Sequence, residues 1–295
     1  MIVPNQSNLK VHFAGAEQTD FAYCISNGAN IKYLLFSVYY FIDYCLGFKN
    51  GGFWKGKPIY EEFELFETKH SIMDSGLFTL MFGCNAGKRS EKDIEIWYNN
   101  LIEFVIKNKV SSTCVEIDCQ KILGVKKAWE LRKRMKTDLP NNRQINVFHK
   151  EDGQQGLDEM IEFSDYIAIS VPELRFMGQK NDTIKIAHYI KNKKPNIDIH
   201  LLGCTELKIL SQLSFCSSSD STTWQQINRY GNIGKFKVKN INQNIVNNKY
   251  QKTVVEMSNR YNREITAQRI DYYSRYILAA EFYKNRYTLM AGNQN

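Results

Sequence analysis

The sequence predicts an α/β fold: a (β/α)8 barrel with an insertion after the second strand and a basic helical extension at the C-terminus. Three observations carry that expectation. Eight short apolar runs rich in β-branched and aromatic residues recur before residue 231. Segments with apolar residues at three- and four-residue intervals lie between most of them. The runs also end, one after another, on polar residues or glycine. Sustained strand-then-helix alternation favours a parallel sheet, and eight such units suit closure into a barrel, with an open doubly wound sheet as the alternative.

The strands are expected, in order, at VHFAGA (11–16), YLLFSVYY (33–40), SIMDS (71–75), CVEID (114–118), INVFH (145–149), YIAIS (166–170), IDIHLLG (197–203) and FCSSSDS (215–221). Helices are expected at KDIEIWYNNLIEFVIKN (92–108), VKKAWELRKRMK (125–136), GLDEMIEF (156–163), DTIKIAHYIKNK (182–193) and TELKILSQL (205–213). Residues 46–62, LGFKNGGFWKGKPIYEE, form a Gly- and Lys-rich insertion in which Phe53 and Trp54 either pack the loop down or stack on bases. Residues 250–291 read as one or two long helices. The expected division is a catalytic barrel over 1–231 and a basic helical extension, packed on it, over 232–295.

Charge supports that division. The net charge is +8, and residues 232–295 hold 11 Lys/Arg against 4 Asp/Glu, which leaves 28 against 27 for the rest. An excess confined to one end suggests a polyanionic partner, since phosphates neutralised by Lys and Arg release counterions; a solvated basic helix face is the alternative. Lys49 and Lys55 of the insertion, with Arg260, Arg263 and Arg269 of the tail, are the candidate nucleic-acid contacts.

Seven scattered cysteines, mostly within apolar runs, suit buried free thiols and a reduced, cytoplasmic location. Neither a signal segment nor a membrane span is expected. No phosphate-binding GxxxxGK[ST] loop, GxGxxG, GxSxG or HExxH occurs, and no cysteine or histidine set has the spacing of a zinc site.

In a barrel of this kind the chemistry stands at the C-terminal ends of the strands. Those ends carry Glu17, Ser37 and Tyr39, Asp74-Ser75-Gly76, Asp118, His149, Ser170, Gly203 and Asp220. Each acid alone also suits a helix N-cap, but Asp74, Asp118 and Asp220 on one rim point to a site.

Asp74-Ser75-Gly76 followed by Leu77-Phe78 resembles the strand-end motif of the tRNA-guanine transglycosylase superfamily. CSSSDSTTW (216–224) resembles an element of its DNA-directed 7-deazaguanine branch, and AGAEQTD, LLFSVYYF and IHLLG are similar to that branch too, above all to its short virus-encoded members. The resemblance spans residues 11 to about 231. It implies exchange of guanine for a 7-deazaguanine derivative through a covalent glycosyl-aspartate, with Asp220 as nucleophile and Asp74 as general acid/base. It further implies that Asp118 receives the purine's amidine edge and that Gly203 lies against the base. Ser75, Gly76, His149 and Ser170 are further substrate-binding candidates from their rim positions. The 7-deazapurine would be a co-substrate, with no cofactor and no metal.

The tRNA-directed members carry a C-terminal cysteine–histidine zinc site, whereas this chain has no cysteine after Cys216. That departure favours DNA over tRNA as the polymer, in the host cytoplasm if the protein is virus-encoded. The alternatives are the same exchange on tRNA, an N-glycoside hydrolase in which water resolves the intermediate, and a non-catalytic partner subunit. Oligomeric state is not legible.

Overall fold

A computed structural model describes residues 9–15, 17, 19–41, 71–78 and 90–292. The insertion 46–62, with Lys49 and Lys55, lies outside the described residues. Eight parallel strands close a barrel in chain order: β1 (Lys10–Ala14), β2 (Leu34–Ser37), β3 (Ile72–Asp74), β4 (Thr113–Val115), β5 (Gln144–Phe148), β6 (Tyr166–Ser170), β7 (Asp198–Leu202) and β8 (Ser218–Ser221). Each falls within or within a residue of its expected run. The described helices are α1 (Thr19–Gly28), α2 (Glu91–Lys107), α3 (Gln120–Leu123), α4 (Val125–Asp138), α5 (Gly153–Phe163), α6 (Val171–Phe176), α7 (Asp182–Lys193), α8 (Leu207–Gln212), α9 (Gln226–Tyr230), α10 (Gln243–Arg260) and α11 (Ala267–Gly292). Among the described residues no helix is long and apolar enough to cross a membrane.

Two compact units divide the chain, Leu35–Leu202 and the combination of Met1–Leu34 with Gly203–Asn295. In the first, β2 to β7 pair in parallel, with Ser37 in register with Asp74 and Ser170 with Leu202. Its strands are buried on both faces, so Val147, Ile167, Ala168, Ile169, Ile199 and Leu201 form nearly unbroken apolar runs. Helix α2 begins with a reciprocal cap in which Ser90 Oγ accepts from the Asp93 amide at 3.2 Å and Asp93 Oδ2 accepts from the Ser90 amide at 2.8 Å. Its buried stripe, Ile94, Trp97, Tyr98, Leu101, Phe104 and Val105, follows the helical repeat.

One buried ion pair marks where β4 stops. Glu116 takes two parallel bonds from Arg132 of α4, both 2.7 Å, a third from Asn146 Nδ2 at 2.7 Å, and a fourth from the Val147 amide at 2.8 Å. The amide of Glu116 still donates to Ile145. The return bond goes to the Glu116 side chain instead of its carbonyl, so the ladder ends and Ile117 and Asp118 leave the strand.

In the second unit β1 pairs with β8, and α1, α10 and α11 pack together around Ile25, Val254, Met257, Ile277 and Ala280. The long C-terminal segment is thus two helices, the first starting earlier than expected at the N-cap Asn242.

Candidate active site

In the unit Leu35–Leu202, Asp74 closes β3 and its Oδ2 accepts the Gly76 amide at 2.9 Å. Gly76 has φ +74, and a Cβ there would lie 2.9 Å from the Tyr39 backbone nitrogen, so only glycine fits the turn. Ser75 is buried, and its carbonyl accepts the Trp97 indole N–H at 2.8 Å. The turn is therefore tied by the aspartate from within and by α2 from outside. Sequence reading found the Asp-Ser-Gly triplet but not the tryptophan, which is 22 residues away and is identifiable only as part of a helix stripe.

The ends of β4 and β5 share one polar network. Asp118 Oδ2 lies 3.1 Å from His149 Nε2, His149 Nδ1 lies 2.6 Å from Glu173 Oε2, and Glu173 Oε1 lies 3.1 Å from Lys121 Nζ. Burial pulls the imidazole pKa down, but hydrogen bonds and charge from Asp118 and Glu173 outweigh it and raise it to about 10. Burial likewise pushes Glu173 up, yet His149 and Lys121 bring it down to about 2. The His149 amide also donates to Asp152 Oδ2 at 2.9 Å, and Gln120 Nε2 donates to the same oxygen at 3.2 Å. Glu173, in the first turn of α6 three residues after Ser170, was missed by sequence reasoning; an acid just past a strand end was its only signal.

The donor atoms of His149, Glu151 and Glu173 lie within 4.8 Å of one another. A histidine held as an imidazolium between two carboxylates repels a cation, so this cluster suits an internal ion pair better than a metal. Ser170 ends β6 half-buried, at the N-cap of α6 but making no side-chain cap bond.

In the other unit, Asp220 is buried near the end of β8, and its Oδ1 accepts the Gly203 amide at 2.6 Å. Gly203 has φ +62, the left-handed region that glycine enters at little cost. The β1–β8 register pairs His12 with Asp220 and Phe13 with Ser221. Phe13 lies against the rings of Trp224 and Tyr287, with centroids 6.4 and 6.5 Å away, so that side of the strand pair faces the helices. Strand alternation turns His12 and Asp220 to the opposite face, the barrel interior. The strand end is braced by Ser221 Oγ, which donates to Thr223 Oγ1 at 2.6 Å, and by the Trp224 indole, which donates to the Ala14 carbonyl at 2.8 Å.

No protein-family model and no curated protein matches this chain.

In the unit Leu35–Leu202, Asp74 ends β3 and Asp118 follows β4, each with one oxygen fixed by a named neighbour; in the other unit Asp220 is the penultimate residue of β8, fixed by the Gly203 amide. A hollow of about 780 Å³ between α4 and α5 is lined by Trp129, Phe163 and charged side chains of those two helices. Of the expected nucleic-acid contacts, Arg263 pairs with Asp20, Nε to Oδ2 at 3.2 Å, and Arg269 donates to the Glu264 carbonyl. Arg260 is exposed, with its guanidinium 5.8 Å from the rings of Tyr23 and Tyr261.

Proposed function

We propose that this protein is a transglycosylase of the DNA-directed 7-deazaguanine type, exchanging guanine in DNA for a 7-deazaguanine derivative. The observation that carries the reading is Asp220, a buried carboxylate on the interior face of β8 with one oxygen tied to the Gly203 amide. A nucleophile aimed in advance loses little freedom on reaching the reacting carbon.

In the first step an Asp220 oxygen attacks C1′ of the target nucleotide as the C1′–N9 bond breaks. The bonding pair leaves on guanine, which takes a proton from the Asp74 carboxylic acid. In the second, the incoming 7-deazapurine gives its N9 proton to the Asp74 carboxylate, and N9 displaces Asp220 from C1′. Two inversions retain the configuration, as in retaining glycosidases. Asp118, held through Oδ2 by His149, has Oδ1 left to accept N–H groups from the base edge. In a duplex the target base would have to leave the stack to reach such a site.

The test is to trap the intermediate. The protein is mixed with guanine-containing DNA without deazapurine, denatured, and weighed by mass spectrometry. A DNA adduct on Asp220, absent in Asp220→Ala, supports the reading. Release of free guanine with no later incorporation of deazapurine would make the protein a hydrolase, and an adduct formed only with tRNA would change the polymer.

A further inference from the structure

Between Asp220 and Glu256 the chain has no carboxylate, yet it holds Arg229, Lys235, Lys237, Lys239, Lys249 and Lys252. Four of these cations gather on a small built feature. Strands β9 (Asn232–Ile233) and β10 (Phe236–Lys237) pair antiparallel across a two-residue turn. The turn begins at Gly234 with φ +58, the conformation such tight hairpins require at their first central residue.

The hairpin is pinned to its support. Ile233 is buried, the Gly234 amide donates to the Tyr283 hydroxyl at 3.1 Å, and the Val238 amide donates to the Gly231 carbonyl at 2.8 Å. Phe236 meets Phe282 edge-on, with centroids 6.1 Å apart, and is nonetheless 64% exposed. Tyr230, two residues before the first hairpin strand, is 60% exposed, with the Arg229 guanidinium 5.5 Å from its ring. Lys235, Lys237 and Lys239 are exposed, and among the described residues no carboxylate pairs with them.

Two outward aromatic rings on a rigid mount, flanked by unpaired cations and no acid, fit a chain of phosphates carrying unstacked bases. Each hairpin strand is two residues long, too short a ribbon to fill a duplex groove. A lipid surface fits less well, because on this feature two exposed rings stand among four cations, a small apolar area for insertion into a bilayer.

We propose that the hairpin, with Arg229 and Tyr230, grips single-stranded DNA: the cations neutralise phosphates, and Phe236 and Tyr230 stack on bases. The inference rests on the DNA-directed reading above and adds a contact surface to it, twelve residues beyond Asp220 in the chain.

The experiment is fluorescence anisotropy of a short labelled single-stranded DNA with the full-length protein across a salt series. The triple variant Lys235→Gln, Lys237→Gln, Lys239→Gln is expected to bind at least about tenfold more weakly, with a salt slope shallower by about 2, since each phosphate contact on a single strand contributes roughly 0.7. Phe236→Ala is expected to weaken binding by about tenfold with the slope unchanged, as stacking is not ionic. Circular dichroism melts of both variants should match the wild type. A control pair on the α4 surface, Lys126→Gln with Lys133→Gln, should bind as the wild type does.

Unchanged binding by both hairpin variants would overturn the proposal, as would an equal loss in the α4 control. Tighter binding of an RNA of the same sequence, or of phosphatidylserine vesicles without DNA, would overturn it too. The two readings fail separately: hairpin-dependent DNA binding without an Asp220 adduct removes the transglycosylase reading alone, and an adduct with hairpin variants that bind normally removes this one alone.

Discussion

Asp220 and Asp74 are held by the same device, a backbone amide supplied by a glycine in left-handed conformation. The device separates geometry from the proposed chemistry, because an asparagine can keep the amide bond while losing the carboxylate proposed as nucleophile or base. Asp220→Asn is expected to fold normally and to lose base exchange by about 10³-fold or more, on the scale of removing a nucleophile. Asp74→Asn should cost about 10²- to 10⁴-fold, the range of general acid–base catalysis, and should remove a limb from the pH–rate profile. Steady-state incorporation of labelled deazapurine measures both. The three acids were legible because a carboxylate ending an apolar run is conspicuous. Asp74 is oriented by Gly76 of its own motif, whereas Gly203 on Asp220 and His149 on Asp118, itself held by Glu173, come from other strand ends, and of these only the glycines and the histidine stood out in the sequence.

His149 also makes stability depend on pH. Its pKa is raised to about 10 in the folded state, so its contribution is complete below the ordinary histidine value near 6.5 and is lost as pH rises through 10. Glu173 is lowered to about 2, so its contribution is complete above about 4.5 and is lost as pH falls through 2. The pair therefore stabilises fully between about 4.5 and 6.5. In urea melts, His149→Gln should flatten the decline in stability between pH 7 and 10; an unchanged slope would show that the imidazolium is not what titrates there.

At the scale of elements, the Asp-Ser-Gly turn depends on α2. Trp97→Phe keeps the ring's bulk but leaves the buried Ser75 carbonyl without its donor, and is expected to cost about 1–3 kcal/mol in a chemical melt. Gly76→Ala should cost more than this, since its Cβ would press on the Tyr39 backbone and its φ is unfavourable for alanine. Most of the eight strands were readable because parallel barrel strands are buried on both sides and appear as compact apolar runs; β8, Ser-Ser-Asp-Ser, is the exception. Their ends were less so: CVEID looked like strand to Asp118, but the Glu116 carboxylate takes the Val147 amide and stops the ladder. The start of α10 was hidden in the polar run Gln243 to Lys249, which has little helical patterning and depends on the Asn242 cap. The first outcome turns on a tertiary partner and the second on a single capping side chain, and neither is contained in the apolar periodicity.

For the molecule as a whole, the charge map was legible in outline and not in detail. The excess of cations after residue 231 is plain from counting, and it led to Arg260, Arg263 and Arg269 as nucleic-acid contacts. In the structure Arg263 is committed to Asp20 and Arg269 to a backbone carbonyl, while the acid-free hairpin holds Lys235, Lys237 and Lys239 outward. Counting charges does not show which cations are engaged within the chain, as Arg263 is with Asp20 and Arg269 with the Glu264 carbonyl.

The central claim is base exchange on DNA through Asp220. Its most direct measurement is nucleoside mass analysis of DNA and tRNA from cells expressing the protein with a supply of 7-deazapurine, beside cells expressing Asp220→Asn. A 7-deazaguanine deoxynucleoside is expected in DNA with the wild type and none with the variant. DNA that remains unmodified, or modification that persists in Asp220→Asn, would contradict it.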